Sequence, residues 1–210
     1  MEALKKILCL QAVLLMLLGA AADGQNFSAT KEAFQSSYID EATGDFYSAI
    51  NSLKSVYDEK SYELNLRLGW LSYLAGNFTE SIAYYNKAIN LMPYSIEPRF
   101  GIVYPTSAVG NWSSVIREYE KILEICPNNS YAMHRLGLVY YGREDYVTAK
   151  KYFDKVVNLY PFDYDALTML GWTNLKLNNI REAKVLFQKA LLHTPTGSSA
   201  SEGLDLIQNP

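Results

Sequence analysis

Apolar residues recur along this chain at steps of three and four, inside a longer period of 32 to 34 residues. The period is marked by a small or polar residue at a presumed turn, namely Gly44, Gly76, Gly110, Glu144 and Asn178. Apolar or small residues follow each turn two, five, nine and twelve positions later. Because these steps keep side chains on one face of a helix, the pattern predicts an amphipathic helix after every turn.

A second helix is predicted before each turn, and a proline closes most of the units. The helix after the turn should end before the proline, which cannot continue it. In three units the preceding helix carries Leu-Gly, and glycine inside a helix costs about 1 kcal/mol relative to alanine. We therefore expect a neighbouring helix to approach these glycines closely. The prolines are Pro93, Pro127, Pro161 and Pro195, and the glycines are Gly69, Gly137 and Gly171.

Together these features resemble the tetratricopeptide repeat. The shared features are the 34-residue period, the Leu-Gly pair, the turn glycine with an aromatic residue two positions later, and the closing proline. The best matches are Ser61–Pro93, Ser130–Pro161 and Tyr164–Pro195. Segment Ser95–Pro127 departs with Val103 at the glycine position, and Ser28–Lys60 departs further, with Ser36-Ser37 there and no closing proline.

The resemblance implies an all-α fold, a right-handed superhelical solenoid of about five helix pairs. The predicted array covers residues 28–195, with repeats at 28–60, 61–94, 95–128, 129–162 and 163–196. Residues 197–210 should hold a short helix that covers the last repeat, with Ser198 or Ser199 as its N-cap and Leu204 and Ile207 on one face. Residues 25–28 are expected to be a disordered start.

Two prolines fall inside the third predicted repeat. Pro98 is expected at a helix start, where proline is tolerated. Pro105 falls in mid-helix by register, where it removes one hydrogen bond and clashes with the carbonyl of Gly101. We therefore predict a kink at Pro105 that bends the third repeat.

Residues 1–24 have the layout of a secretory signal. Lys5 and Lys6 precede an apolar stretch of sixteen residues, which small residues close. Cleavage is predicted before Gln25, with a cut before Asp23 as the alternative. A retained membrane anchor is a further alternative, although the stretch is short for a bilayer span. We expect no transmembrane span in the mature chain and export to the periplasm or cell envelope of a bacterium, with secretion as the alternative.

Charge and cysteine content narrow the function classes. The formal net charge is −3 with acids and bases interspersed, so the chain lacks the basic stripe that nucleic-acid phosphates require. Cys126 is the one cysteine after residue 24, and we interpret it as a small apolar residue at a helix end.

Four Asn-X-Ser/Thr triplets suit either glycosylation or ordinary turns, and we favour turns. They begin at Asn26, Asn77, Asn111 and Asn128.

The sequence carries no motif typical of catalysis. His134 and His193 lie far apart in the chain, and no nucleophile, phosphate-binding or zinc-binding pattern is present. Asp145, Asp163 and Asp165 lie near one another in the sequence, and acids in turns usually cap helices or face solvent. We therefore expect no catalytic residue, no metal site and no cofactor, and we retain a hydrolase only as the weakest alternative.

In the tetratricopeptide repeat family, the first helix of each pair lines the concave side, and its exposed stripe binds peptides. We assign the corresponding stripe in this chain by counting back from each turn residue, and the positions so identified are rich in aromatic residues. It lacks the Lys/Arg/Asn set with which some members grip a terminal carboxylate, although Arg67 and Arg135 lie beside it. The predicted partner-binding residues are Phe34, Tyr38, Trp70, Tyr73, Phe100, Tyr104, Tyr131, His134, Tyr141 and Trp172.

Two hypotheses for the function follow from this stripe. The first is a non-enzymatic scaffold of the cell envelope that binds a protein or peptide segment in a groove between Phe34 and Trp172. The second is a glycan-binding helper, since ring faces also suit sugars. Aromatic residues at helical spacing also pack in cores, so some of these rings are expected to contact neighbouring helices.

Overall fold

The computed structural model describes residues 26–208, and helices joined by short turns make up this part of the chain. Between these residues no strand occurs, so the predicted all-α fold is confirmed. The predicted signal over residues 1–24 lies outside the described residues. The helices are α1 (26–43), α2 (Phe46–Lys54), α3 (Tyr62–Leu74), α4 (Phe78–Leu91), α5 (Glu97–Ala108), α6 (Trp112–Ile125), α7 (Ser130–Gly142), α8 (Tyr146–Leu159), α9 (Tyr164–Lys176), α10 (Ile180–His193) and α11 (Ser198–Gln208).

The helices form two compact units, which divide after Pro93. The N-terminal unit holds α1 to α4, with a core that includes Leu53, Leu64 and Leu68. The C-terminal unit holds α5 to α11, and its core runs through several neighbouring clusters around Ile122 and Phe187. Residues 26–28 are helical, so the expected disordered start was wrong for the described residues.

Each predicted turn passes through the left-handed region of backbone conformation. Gly44, Gly76 and Gly110 have φ angles of 81°, 77° and 75°, while Glu144 and Asn178 each have 62°. Glycine adopts this conformation without steric penalty, whereas other L-residues pay about 1–2 kcal/mol. This backbone requirement explains why the turn position is held by glycine in three repeats.

The closing prolines set the ends of four helices. The residue before each proline is extended, with φ between −130° and −128° and ψ between 77° and 86°. The proline ring excludes helical backbone at this preceding residue. In the first repeat, which lacks the proline, Ser55 after α2 keeps helical angles instead. Cys126 is one of the extended residues and is a free thiol, as predicted for a helix end.

The glycines of the first helices lie directly under aromatic rings of the second helices. A Cβ atom at these positions would collide with or crowd the ring, so the predicted close approach is confirmed. The pairs, with the distance from the added Cβ to the ring, are Gly69 and Tyr85 (3.0 Å), Gly137 and Phe153 (2.6 Å), and Gly171 and Phe187 (2.7 Å).

Replacing Gly137 by alanine is expected to destabilise the C-terminal unit by about 1–3 kcal/mol, because the fully buried Phe153 ring has no room to move. Gly142 in the same helix is the matched control, since an added Cβ there meets no atom within 4 Å. Gly142→Ala should be neutral or stabilise by up to about 1 kcal/mol through helix propensity. Urea denaturation of both variants measures the difference. Equal stabilities of the two would contradict close packing at Gly137.

The third repeat differs from its prediction at Pro105. Pro98 lies in the first turn of α5, as expected, but α5 runs from Glu97 to Ala108 without interruption. The predicted mid-helix position of Pro105 is therefore wrong, because Pro105 lies in the last turn of α5, while the predicted kink stays a prediction. The Val109 N–H donates to the Pro105 carbonyl at 3.2 Å, so hydrogen bonding continues past the proline.

The C-terminal helix α11 packs against the last helix pair. Leu204 and Ile207 contact the same core cluster as Phe187, as predicted for a helix that covers the last repeat. Neither serine is its N-cap, because α11 begins at Ser198 and Gly197 precedes it. The Ser199 hydroxyl instead accepts a hydrogen bond from the Trp172 indole N–H at 2.9 Å.

Candidate partner-binding surfaces

The predicted partner-binding residues all lie on the first helices of their pairs, and they divide between the two units. We call Phe34, Tyr38, Trp70 and Tyr73 the N-terminal aromatic face. We call Phe100, Tyr104, Tyr131, His134, Tyr141 and Trp172 the C-terminal aromatic face. Three of these rings are exposed, and the other side chains are half-buried, so the predicted stripe combines packing with access to solvent. The exposed rings are Tyr38 (57%), Tyr104 (42%) and Tyr131 (52%).

Arg67 organises the N-terminal aromatic face. Its guanidinium is buried, pairs with the Glu41 carboxylate at 2.6 Å and donates to the Ser37 hydroxyl and carbonyl at 3.2 and 3.1 Å. The Trp70 indole N–H donates to the other Glu41 oxygen at 2.7 Å. The Tyr38 ring lies over the guanidinium, 3.8 Å from its carbon. Glu41 therefore joins α1 to α3, and Tyr38 is held in place by a cation–π contact.

Two other predicted residues of this face, Phe34 and Tyr73, are largely engaged in packing. Phe34 packs against the core of the N-terminal unit. Tyr73 packs between Trp70 and Phe78, with ring centroids at 5.7 and 6.0 Å. Arg67, noted beside the stripe for its charge, is neutralised in place by Glu41. Tyr38 is thus the ring of this face with the largest exposed fraction.

A cluster of rings around Arg135 forms the first part of the C-terminal aromatic face. Phe100 contacts Tyr131 and Tyr119 edge to face, with centroids at 5.4 and 6.3 Å. Arg135 donates from Nε to the Tyr119 hydroxyl at 3.4 Å. Burial, then the charge of Tyr131 and a hydrogen bond with it, raises the pKa of Tyr104. Burial also raises the pKa of Tyr119, so both phenols are neutral at physiological pH.

The remaining residues of this face are held by neighbours on one side. Trp172 contacts the Phe187 ring at 5.2 Å, and its indole N–H is bonded to α11. Tyr141 contacts Tyr146 at 5.3 Å. His134 contacts Phe153 at 5.5 Å, and its Nε2 is buried without a hydrogen-bond partner among the described residues. Burial lowers the pKa of His134, although the charges of Asp165 and Asp163 oppose this effect.

A cavity of about 480 Å³ beside Arg135 was missed by the sequence prediction. Its walls combine two guanidinium groups, Arg135 and Arg143, with the apolar side chains of Leu138 and Trp112. Trp112 is 46% exposed although its position in the repeat suggested a core-facing residue. The sequence did carry one sign that this position is unusual, because no other repeat has tryptophan there.

Two of the three acidic residues near the turns act as helix caps, and the third, Asp165, is exposed on α9. Asp145 accepts the Thr148 N–H at 3.0 Å, and Asp163 accepts the Ala166 N–H at 2.8 Å, as predicted for acids in turns. Within residues 26–208, no three His, Cys, Asp or Glu side chains come together in a way that could hold a metal ion. Among the helices of the same range, none has both the length and the apolar character of a membrane span.

Three segments of the chain match the tetratricopeptide repeat family, at residues 40–96, 118–151 and 164–192. The chain contains tetratricopeptide repeats. The predicted resemblance is therefore confirmed for the repeats. The first segment covers α2 to α4, the third covers α9 and nearly all of α10, and the second runs from within α6 through α7 into α8.

Solved structures with a similar fold include a tetratricopeptide repeat protein from Parabacteroides merdae ATCC 43184, which is 21% identical with a TM-score of 0.74. The alignment covers 86% of this chain and 72% of that one. MamA from Desulfovibrio magneticus RS-1 is 18% identical with a TM-score of 0.68, over 81% of this chain and 97% of that one. At these identities the similarity concerns the fold.

One curated relative is the Protein CTR9 homolog of Arabidopsis thaliana, which is 25% identical over 136 residues. The alignment covers 62% of this chain and 12% of the relative. This chain therefore spans only a small part of that protein's length.

Proposed function

We propose that this chain is a non-enzymatic scaffold, exported to the cell envelope of a bacterium, that binds a segment of a partner protein on its aromatic faces. Tandem tetratricopeptide repeats support a role in protein binding. The layout of residues 1–24, with Lys5 and Lys6 before an apolar stretch, supports export.

The observation that carries the proposal is that the exposed rings are anchored from behind. Tyr38 lies on the buried guanidinium of Arg67, and Tyr131 lies against Phe100. A ring that is already held in its orientation loses little entropy when a partner covers it. Tyrosines of this kind supply large contact areas and are common among residues that dominate binding energies.

The test is a comparison of partners captured from envelope extract by the full chain and by its Tyr104→Ala/Tyr131→Ala variant. We expect capture to fall at least about tenfold, because residues of this kind contribute about 2 kcal/mol or more each. Tyr94→Ala is the matched control, since Tyr94 is 86% exposed but lies outside both aromatic faces. Capture of the same proteins at unchanged levels by the double variant would contradict the proposal.

Glycan binding is the alternative use of the same rings. Its signature would be retention of the full chain on an envelope polysaccharide that the double variant loses, with no change in the captured proteins. The two measurements on the same pair of variants therefore separate the two functions.

A further inference from the structure

A second cavity, of about 280 Å³, lies where the N-terminal half of α7 meets the end of α8 and the start of α9. Two exposed rings, Tyr131 and Tyr160, contribute to its walls, together with His134 and the carboxylates of Asp163 and Asp165. Tyr131 and His134 also belong to the C-terminal aromatic face. The cavity therefore opens beside the surface on which a partner segment is proposed to bind.

The carboxylates make this cavity negative. Neither Asp163 nor Asp165 forms an ion pair with any residue between 26 and 208, and Asp163 uses one oxygen to cap α9. The N-terminus of a helix contributes a positive charge of about half an elementary unit. Two carboxylates exceed this charge, so the residues that line the cavity carry a net negative charge.

His134 does not compensate that charge at neutral pH. Burial lowers the pKa of its imidazole, which leaves the ring uncharged and able to accept one hydrogen bond. Arg135, on the same helix, donates its Nε–H to Tyr119 and is not among the residues that line the cavity, although its charge contributes to the lowered pKa of His134. The walls thus offer acceptors and ring faces and no cation.

We infer that this cavity binds the cationic side chain of a lysine or arginine in the partner segment. The two carboxylates supply charge-assisted hydrogen bonds, which are stronger than neutral ones. The Tyr131 and Tyr160 rings cover the aliphatic stem and attract the cation through their faces. This inference rests on the proposed scaffold function and names the chemistry of one residue of the partner.

The probe for this site is a pair of blocked tripeptides, acetyl-Gly-Lys-Gly-amide and the same peptide with norleucine. They are titrated into the full chain while the NMR signals of the His134 ring are recorded. We expect saturable shifts with the lysine peptide and at least a fivefold weaker response to norleucine, which keeps the stem and lacks the charge. Equal binding of both peptides would overturn the inference.

Two acidic variants and one control locate the charge that is responsible. Asp165→Asn should raise the Kd of the lysine peptide at least about fivefold, and Asp163→Ser should weaken binding while serine preserves the helix cap. Asp205→Asn removes an exposed carboxylate from α11 and should leave the Kd unchanged. An unchanged Kd for Asp165→Asn, or an equal effect of Asp205→Asn, would show that general surface charge accounts for binding.

The outcomes for this site are distinct from those for the scaffold. If the lysine peptide fails to bind while the double tyrosine variant loses its captured partner, the inference is wrong and the scaffold proposal stands. If the lysine peptide binds through Asp165 and no partner depends on the tyrosines, the cavity stands and the scaffold proposal is wrong.

Discussion

Truncation of Phe187 to alanine is expected to lower the free energy of unfolding of the C-terminal unit by about 3–5 kcal/mol. The side chain is fully buried, and its ring fills the space above Gly171 and beside Trp172. The same ring lies against Gly203 of α11, so one cavity would loosen α9, α10 and α11 together. Urea denaturation followed by circular dichroism measures the loss.

Val185 provides the control for this prediction because it lies on the same helix and is 61% exposed. Val185→Ala should change stability by no more than about 0.5 kcal/mol. Phe187→Leu, which refills part of the space, should fall between the two. A loss below about 1 kcal/mol for Phe187→Ala would mean that α11 does not depend on this ring.

Replacement of Glu41 by glutamine is expected to destabilise the N-terminal unit by about 3 kcal/mol, the lower end for removal of one partner from a buried ion pair. The one amide oxygen of glutamine can still accept the Trp70 indole hydrogen bond, but its NH2 group then faces the Arg67 guanidinium, so both the counter-charge and the acceptor for Arg67 are lost. The Arg67 guanidinium, 8% exposed, would keep its bonds to Ser37 but lose its counter-charge. The lower end applies because the Glu41 side chain is itself 24% exposed.

The matched control is Glu32→Gln, which removes the same charge from an exposed position on α1. Its effect should stay within about 0.5 kcal/mol. Both variants can be compared by urea denaturation followed by circular dichroism. Similar stabilities of the two would indicate that Arg67 finds another counter-charge when Glu41 is removed.

The fold could be predicted from the sequence because its determinants are local and repeated. The positive φ angle at Gly76 and the extended residue before Pro93 each depend on one or two residues. The same residues recur at the same positions in several repeats, which makes the pattern recognisable in the sequence. The position of Pro105 within α5 was predicted wrongly, because it depends on where the helix ends. The register gave its repeat position correctly, but the end of α5, three residues later, depends on the turn at Gly110.

The candidate surfaces could be predicted only in part. The offset from the turn identifies which residues lie on the first helices, and it does so correctly for all ten. It carries no information on contacts between helices, so the bonds of Trp70 to Glu41 and of Trp172 to Ser199 were not foreseen. Nor was the cavity beside His134, whose walls come from three helices. That these surfaces bind a partner stays a prediction.

Helices α7 and α8 have the same lengths as α9 and α10, with 13 and 14 residues, and both pairs turn through a non-glycine residue with φ of 62°. Each pair also carries its own glycine–phenylalanine contact. Such units are interchangeable building blocks, because each pair packs mainly within itself and against its neighbours in the array. Duplication of residues 129–162 in the gene would therefore lengthen the protein without requiring a new core, a route by which evolution or a designer could enlarge its surface.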